Sequence, residues 1–398
     1  MRKNLTDSNK TLTEPIGTFF SLRMSLVYSG IFLVIGLYVP FFPVWLDARG
    51  LTTQQISLVL AVPLFAKVIT SPLIAALADR MGNRRMVMTV LAAGATLTCL
   101  ALFLTSGFLA ILIGVGILAV FSNPLLPLTE SVTMGGARAR GLDYGRIRLW
   151  GSLSFMGANL LGGYLLAIYG ASAGLPLIAG AYLLTFFVTL GLPAPGGKRE
   201  NTLELSGVFS GFLILARADI LVFLALAALL QASHAVYYLY STLAWTGQGM
   251  STLTVGALWA IGVMAEIILF IWSRPAVSRL GTHGLLAAAA LAVIVRWFLT
   301  SLEPSVYWLF PIQLLHGVTF GAAHLAAINF IADRVQPDLA ATAQTINFAI
   351  SGIFMSLTML AAGPVFAAYG SNAYIVMSGF GGFVLMILAG QWLRREWF

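Results

Sequence analysis

The stretch "ADRMGNRR", residues 78–85, packs one aspartate and three arginines into eight residues between two long apolar runs, near 55–77 and 86–104. Each run is close to the ~20 residues a helix needs to cross a bilayer. A charged, glycine-bearing segment between two such runs reads as a tight turn at a membrane surface. The rest of the chain agrees. Of the 398 residues, 59% are hydrophobic and only 9% are charged, against ~25% charged in a soluble protein. The 40 glycines and 26 phenylalanines suit membrane helices. One cysteine, Cys99, excludes an intrachain disulfide. The net charge of +8 is spread between apolar runs, a pattern that fits orientation in a membrane and not nucleic-acid binding.

Bilayer-length runs recur about twelve times. They lie near 20–42, 55–77, 86–104, 108–133, 145–168 and 174–192, and again near 216–240, 252–272, 284–300, 306–330, 342–366 and 373–392. The expected fold class is therefore an all-α membrane protein of twelve transmembrane helices in two six-helix halves. The stretch "LPAPGGKRENTLELSG" (192–207), rich in Pro, Gly and charge, reads as a connector. It divides the chain into an N-terminal half (1–192), a cytoplasmic linker (193–215) and a C-terminal half (216–398). The polar start and the lack of a small-residue cleavage site after the first run argue against a cleaved signal peptide.

Charge gives the orientation. Arginines and lysines such as Arg23, Arg80, Arg84, Arg85, Arg138, Arg140, Arg146, Arg274, Arg279 and Arg334 fall on one side, while the opposite loops hold Arg49 alone. The rule that cytoplasmic loops are the positive ones places both termini in the cytoplasm. A weak internal repeat supports the two halves: "VSRLGTHG" (277–284) follows the eighth run as "ADRMGNRR" follows the second, aligning Arg80 with Arg279 and Gly82 with Gly281. Parallel repeats of this kind are typical of alternating-access transporters.

Twelve spans, a 6+6 division and Asp79, Arg80, Gly82, Arg84 and Arg85 after the second span together resemble the major facilitator superfamily over the whole chain. A narrower resemblance comes from charges inside the spans. Glu130, followed eighteen residues later by Arg148 in "YGRIRLWGS" (144–152), is similar to the lactose-permease group, where an acid on the fourth helix pairs with an arginine on the fifth; Arg296 and His316 also follow at that group's spacing. Within it, "FFPVWLDARGLTTQQISLVLA" (41–61), "LLQASHAVYYLYS" (229–241) and "LWAIGVMAEIILF" (258–270) resemble bacterial phenylpropionate permeases. The resemblance implies proton-coupled import of a small aromatic carboxylate across a bacterial inner membrane by a multi-pass monomer that is no enzyme and needs no cofactor or metal. Three departures qualify it. Gln313 stands where the lactose permease pattern has a base, Thr319 where it has its proton-carrying acid, and Phe155 where it has a sugar-stacking indole.

A charge near the bilayer centre costs at least ~2.5–3.5 kcal/mol on insertion scales, so each one faces a cavity or a partner. For Glu130 and Arg148 the alternatives are a structural ion pair and a substrate site. For Arg296 they are a snorkelling side chain and, with Arg148, a clamp on an anionic substrate, since guanidinium grips a carboxylate at two points. Glu266, flanked by apolar residues, is the first choice for a proton carrier and His316 the second; Glu266 could instead be a fixed partner of Lys67 or His234. Lys67, deep in helix 2, could neutralise Glu130. Gln231, His234, Tyr237 and Tyr238 share a helix face and could stack on an aromatic substrate or simply pack. Asp79 with Arg80, Gly82, Arg84 and Arg85 reads as a gate latch. Glycines without proline in "SFMGANLLGG" (154–163) depart from the export motif of the superfamily, which leans toward import. Oligosaccharide symport, drug efflux and substrate sensing without flux are the other readings. No phosphate-binding loop, no HExxH and no cysteine pair is present.

Overall fold

A computed structural model describes residues 10–192, 217–336 and 339–394; the linker expected at 193–215 lies outside them. The described residues are helical, with no strand among them. We number the spans α1 (Lys10–Ala48), α2 (Thr53–Met81), α3 (Arg84–Ala101), α4 (Phe108–Ser122, resuming as Leu125–Arg140), α5 (Tyr144–Tyr169), α6 (Gly174–Leu190), α7 (Ala218–Ala232, resuming as Ala235–Gly247), α8 (Thr252–Ile271), α9 (Ser273–Ser301), α10 (Val306–Leu314, a π-helical turn Gly317–Ala322, then Ala323–Arg334), α11 (Ala340–Tyr369) and α12 (Ala373–Arg394). Eleven stretches are long and apolar enough to cross a membrane. The eleventh, Thr342–Leu393, has 52 residues, enough for two crossings, and it breaks at Gly370, whose φ of 54° ends α11. The chain is thus a multi-pass membrane protein, and the described residues hold twelve helical spans.

Local chemistry sets the turns. Gly82 caps α2 with φ 62°, and Asn83 caps α3 by accepting a hydrogen bond from the Met86 N–H at 3.0 Å. Gly281, its partner in the sequence repeat, has φ 63° and bends α9 at the matching place. Helix runs on from Ser273 into that bend, between the runs expected near 252–272 and 284–300; the residues before Gly281 are compatible with helix, and the glycine alone makes the corner. Thr52 and Gln55 form a reciprocal capping box that starts α2.

The two halves meet where α2 crosses α11 and α5 crosses α8. At the end that carries residues 50–53 and 248–252 the backbones touch: Gly163 abuts Thr252, Gly256 abuts Asn159 and Gly363 abuts Ser57, with no room for a Cβ at any of the three. Thr252 Oγ1 donates to the Gly163 carbonyl at 2.7 Å, and the Tyr240 hydroxyl donates to the Thr53 carbonyl at 2.7 Å. Three turns along α11 the approach is looser: a Cβ on Gly352 would make ordinary contact, 3.6 Å from Val68 Cγ2 and 4.0 Å from the Leu64 carbonyl. The halves are sealed at one end and part toward the end with the basic turns.

Candidate functional site

Between the halves lies a cavity of about 630 Å³. Its wall is mainly apolar and aromatic, with Phe32, Tyr38 and Phe155 on one side and Tyr237, Tyr238, Trp259 and Phe320 on the other. Among its polar lining are the ionisable Lys67, Arg148, Glu266, His316 and His324, with Gln231, Asn123 and several hydroxyl groups beside them.

On the first-half wall, α5 starts from its Asp143 cap and brings Arg148 round to the cavity in little more than one turn. Gly151 leaves room for the guanidinium: a Cβ there would stand 3.1 Å from Arg148 Nη1. Arg148 lies over the Phe32 ring at 4.1 Å and the Tyr28 ring at 5.4 Å. Its Nε is 3.9 Å from Glu130 Oε1, so the pair is loose rather than hydrogen-bonded. Glu130 also interacts electrostatically with Lys67, so one carboxylate serves two cations.

The second-half wall is built by close packing of α8 and α10. Gly317 and Gly321 let α10 approach; a Cβ at Gly317 would lie 2.6 Å from the Ala265 carbonyl. Glu266 Oε2 consequently sits 3.9 Å from His316 Nε2. Behind His316 is Arg296, which is fully buried and does not line the cavity. Its Nη1 reaches His316 Nδ1 and Thr319 Oγ1, both at 3.0 Å, and its Nη2 donates to Gln313 Oε1 at 2.7 Å. Gln313 and Thr319, two of the three departures from the lactose permease pattern, are thus neutral partners of this guanidinium. Arginine only donates, so His316 Nδ1 must accept, and the neutral ring carries its hydrogen on Nε2, toward Glu266.

This overturns two expectations. Arg296 cannot clamp a substrate with Arg148, because Tyr237 and His316 cover it; its guanidinium stands 4.9 Å from the Tyr237 ring. His234 does not face the cavity with its neighbours. Helix α7 breaks at Ser233–His234, and the His234 ring turns inward, where Nδ1 donates to the Gln231 carbonyl and Nε2 accepts from Thr319 Oγ1, each at 3.0 Å. Gln231, Tyr237 and Tyr238 remain on the cavity wall. Glu266 is paired with His316, not with His234, and Lys67 lines the cavity on the opposite half.

The residues of "ADRMGNRR" stand well away from the cavity wall. Arg84 holds Asp79 Oδ1 through Nε at 3.0 Å and Nη2 at 2.6 Å, and its Nη1 donates to Ser131 Oγ at 2.8 Å. Arg85 donates to the Leu190 carbonyl at 2.6 Å. These bonds join the ends of α2, α3, α4 and α6 within the first half. Arg80 is exposed beside Gly82. Sequence reasoning passed over His324 and Trp259. The spacing His316, Phe320, His324, at steps of four along one helix, was the available signal for the first.

Residues 21–374 match the MFS_1 like family. The chain is 31% identical over 382 residues to a probable 3-phenylpropionic acid transporter of Escherichia coli K12, covering 94% of this chain and 97% of that one. It is 27% identical over 329 residues to a maltose permease of Geobacillus stearothermophilus, covering 79% of each. Among solved structures, the nucleoside transporter NupG superposes with a TM-score of 0.83 at 16% identity, over 94% of this chain and 99% of that one. Fold, family match and relatives agree that the chain belongs to the MFS_1 like family of major facilitator superfamily transporters.

Proposed function

We propose that the protein imports a small aromatic carboxylate, of the 3-phenylpropionate kind, together with a proton. The observation that carries this reading is the arrangement of charge on the cavity wall: one forked cation, Arg148, loosely held by Glu130, faces a protonatable Glu266 on the other half. The cations Lys67 and Arg148 balance the carboxylates Glu130 and Glu266. A bound carboxylate adds one negative charge, and a proton on Glu266 removes one. An unbalanced charge in the membrane interior is costly, so substrate and proton favour each other's binding. The aromatic wall offers ring stacking to the rest of the substrate, and His316 Nε2 is placed to hydrogen-bond Glu266 once it is ionised.

With the basic turns in the cytoplasm, both termini are cytoplasmic, the sealed end faces outward and the cavity opens inward. A bacterial inner membrane and a single chain acting alone fit this reading. The maltose permease relative and the Glu130–Arg148 pair favour oligosaccharide symport as the second reading. A substrate panel separates the two. In proteoliposomes with an acidic outside, 3-phenylpropionate should accumulate while 3-phenylpropionamide and maltose should not. Amide or maltose accumulation at the acid's rate would refute the carboxylate reading.

A further inference from the structure

The chain has four histidines. Two near the cavity are tied down: His234 at both ring nitrogens and His316 at Nδ1, where Arg296 holds it. A second proton on His316 would have to break that bond. His324 differs. It lines the cavity, and neither of its ring nitrogens has a hydrogen-bond partner among the described residues. It lies eight residues, about two helical turns, beyond His316 on α10 toward the basic-turn end. The π-helical turn between them keeps His316, Phe320 and His324 on the same wall, with rings inclined by 15° and 16° to one another.

Glu266 sits between the two histidines in height. Its Cγ would be 3.6 Å from a Cβ on Gly321, and Phe270, one turn further along α8, has its ring 6.2 Å from His324. From this placement we infer that His324 relays the coupling proton between Glu266 and the cytoplasmic mouth of the cavity. The inference rests on the proton symport proposed above. Glu266–COOH gives its proton through cavity water to one ring nitrogen of neutral His324. The imidazolium then releases the proton from its other nitrogen to water at the mouth, and the ring returns to its starting tautomer by exchange with water. Glu266 and His316 share its wall, and Lys67 and Arg148 face the same cavity from the first half. Phe270 and Phe320 are the rings against it, so it has no fixed countercharge and a proton taken up there is readily passed on.

A relay alters rate and leaves stoichiometry alone, which separates it from Glu266 itself. The test uses the full-length protein in proteoliposomes, with 3-phenylpropionate as probe and an imposed pH gradient. In His324→Gln, the initial rate of pH-driven uptake should fall about tenfold or more, as for loss of a proton-transfer group. The final accumulation ratio and the rate of substrate exchange should stay at the wild-type level. Imidazole in the inner buffer should restore the rate of His324→Ala. Wild-type initial rates in His324→Gln would overturn the relay. So would loss of exchange together with uptake in both variants, which would mark a structural role, or failure of imidazole to rescue an exchange-competent His324→Ala. If wild-type vesicles take up no protons with substrate, the symport reading itself fails, a result visible before any His324 variant is made.

Discussion

Glu266→Gln abolishes accumulation while leaving exchange intact. With one proton per substrate, a gradient of one pH unit supplies about 1.4 kcal/mol and concentrates the substrate about tenfold. Glutamine is a fixed analogue of the protonated acid. It keeps the cavity neutral with a carboxylate bound, so the loaded carrier still changes state and swaps internal for external substrate. It cannot discharge the proton, so the accumulation ratio falls from about tenfold to about one. The measurements are pH-driven uptake and counterflow in the same vesicles. Retained accumulation would make Glu266 a structural partner of His316, which lies 3.9 Å from it.

Arg148→Lys lowers uptake by about tenfold to a hundredfold, the effect of losing one charge-assisted hydrogen bond worth ~1.5–3 kcal/mol. Lysine keeps the charge that balances Glu130 but loses the two-point grip on a carboxylate, and the loss should appear mainly in KM. The folded fraction, followed by detergent-extracted yield and thermal unfolding, should stay near wild type, because Glu130 holds Arg148 only at 3.9 Å. Arg296→Lys should show the opposite signature. Its guanidinium makes three short bonds, to His316, Thr319 and Gln313, inside the second half, and an ammonium cannot reach all three. Folded yield should drop there. Equal kinetic defects in two well-folded variants would restore the two-arginine clamp that the burial of Arg296 excludes.

The fold was legible because membrane helices advertise themselves. Apolar runs of about twenty residues separated by basic turns leave few alternatives, and the aligned glycines Gly82 and Gly281 both take positive φ at the corners. The cavity residues Lys67, Arg148, Glu266 and His316 were found by one rule, that a polar group in a span needs a reason, while Phe155 came from the family resemblance and Tyr237 from its helix face. The rule does not say whether that reason faces a cavity or a neighbour. Arg296 and His234 satisfied it by bonding to Gln313 and Thr319, contacts set by tertiary packing between partners 17 to 85 residues apart in sequence, while His234 also bonds the Gln231 carbonyl three residues back. The break of α7 at Ser233–His234 carries no proline or glycine, so periodicity ran straight through it. His324 was passed over although its steps of four from His316 and Phe320 along one helix carried the signal, and the structure places both histidines on the cavity wall.

Symport of one monoanion with one proton moves no net charge. An electrogenic cycle would instead gain or lose about 2.3 kcal/mol per 100 mV for each charge moved. The decisive measurement is uptake of 3-phenylpropionate into proteoliposomes under a pH gradient and a potassium diffusion potential imposed separately. Uptake should follow the pH gradient, alkalinise the outer medium by one proton per substrate, and respond little to an inside-negative potential at fixed pH. Strong uptake driven by that potential alone would contradict electroneutral symport of a carboxylate and point to a second proton or an uncharged substrate.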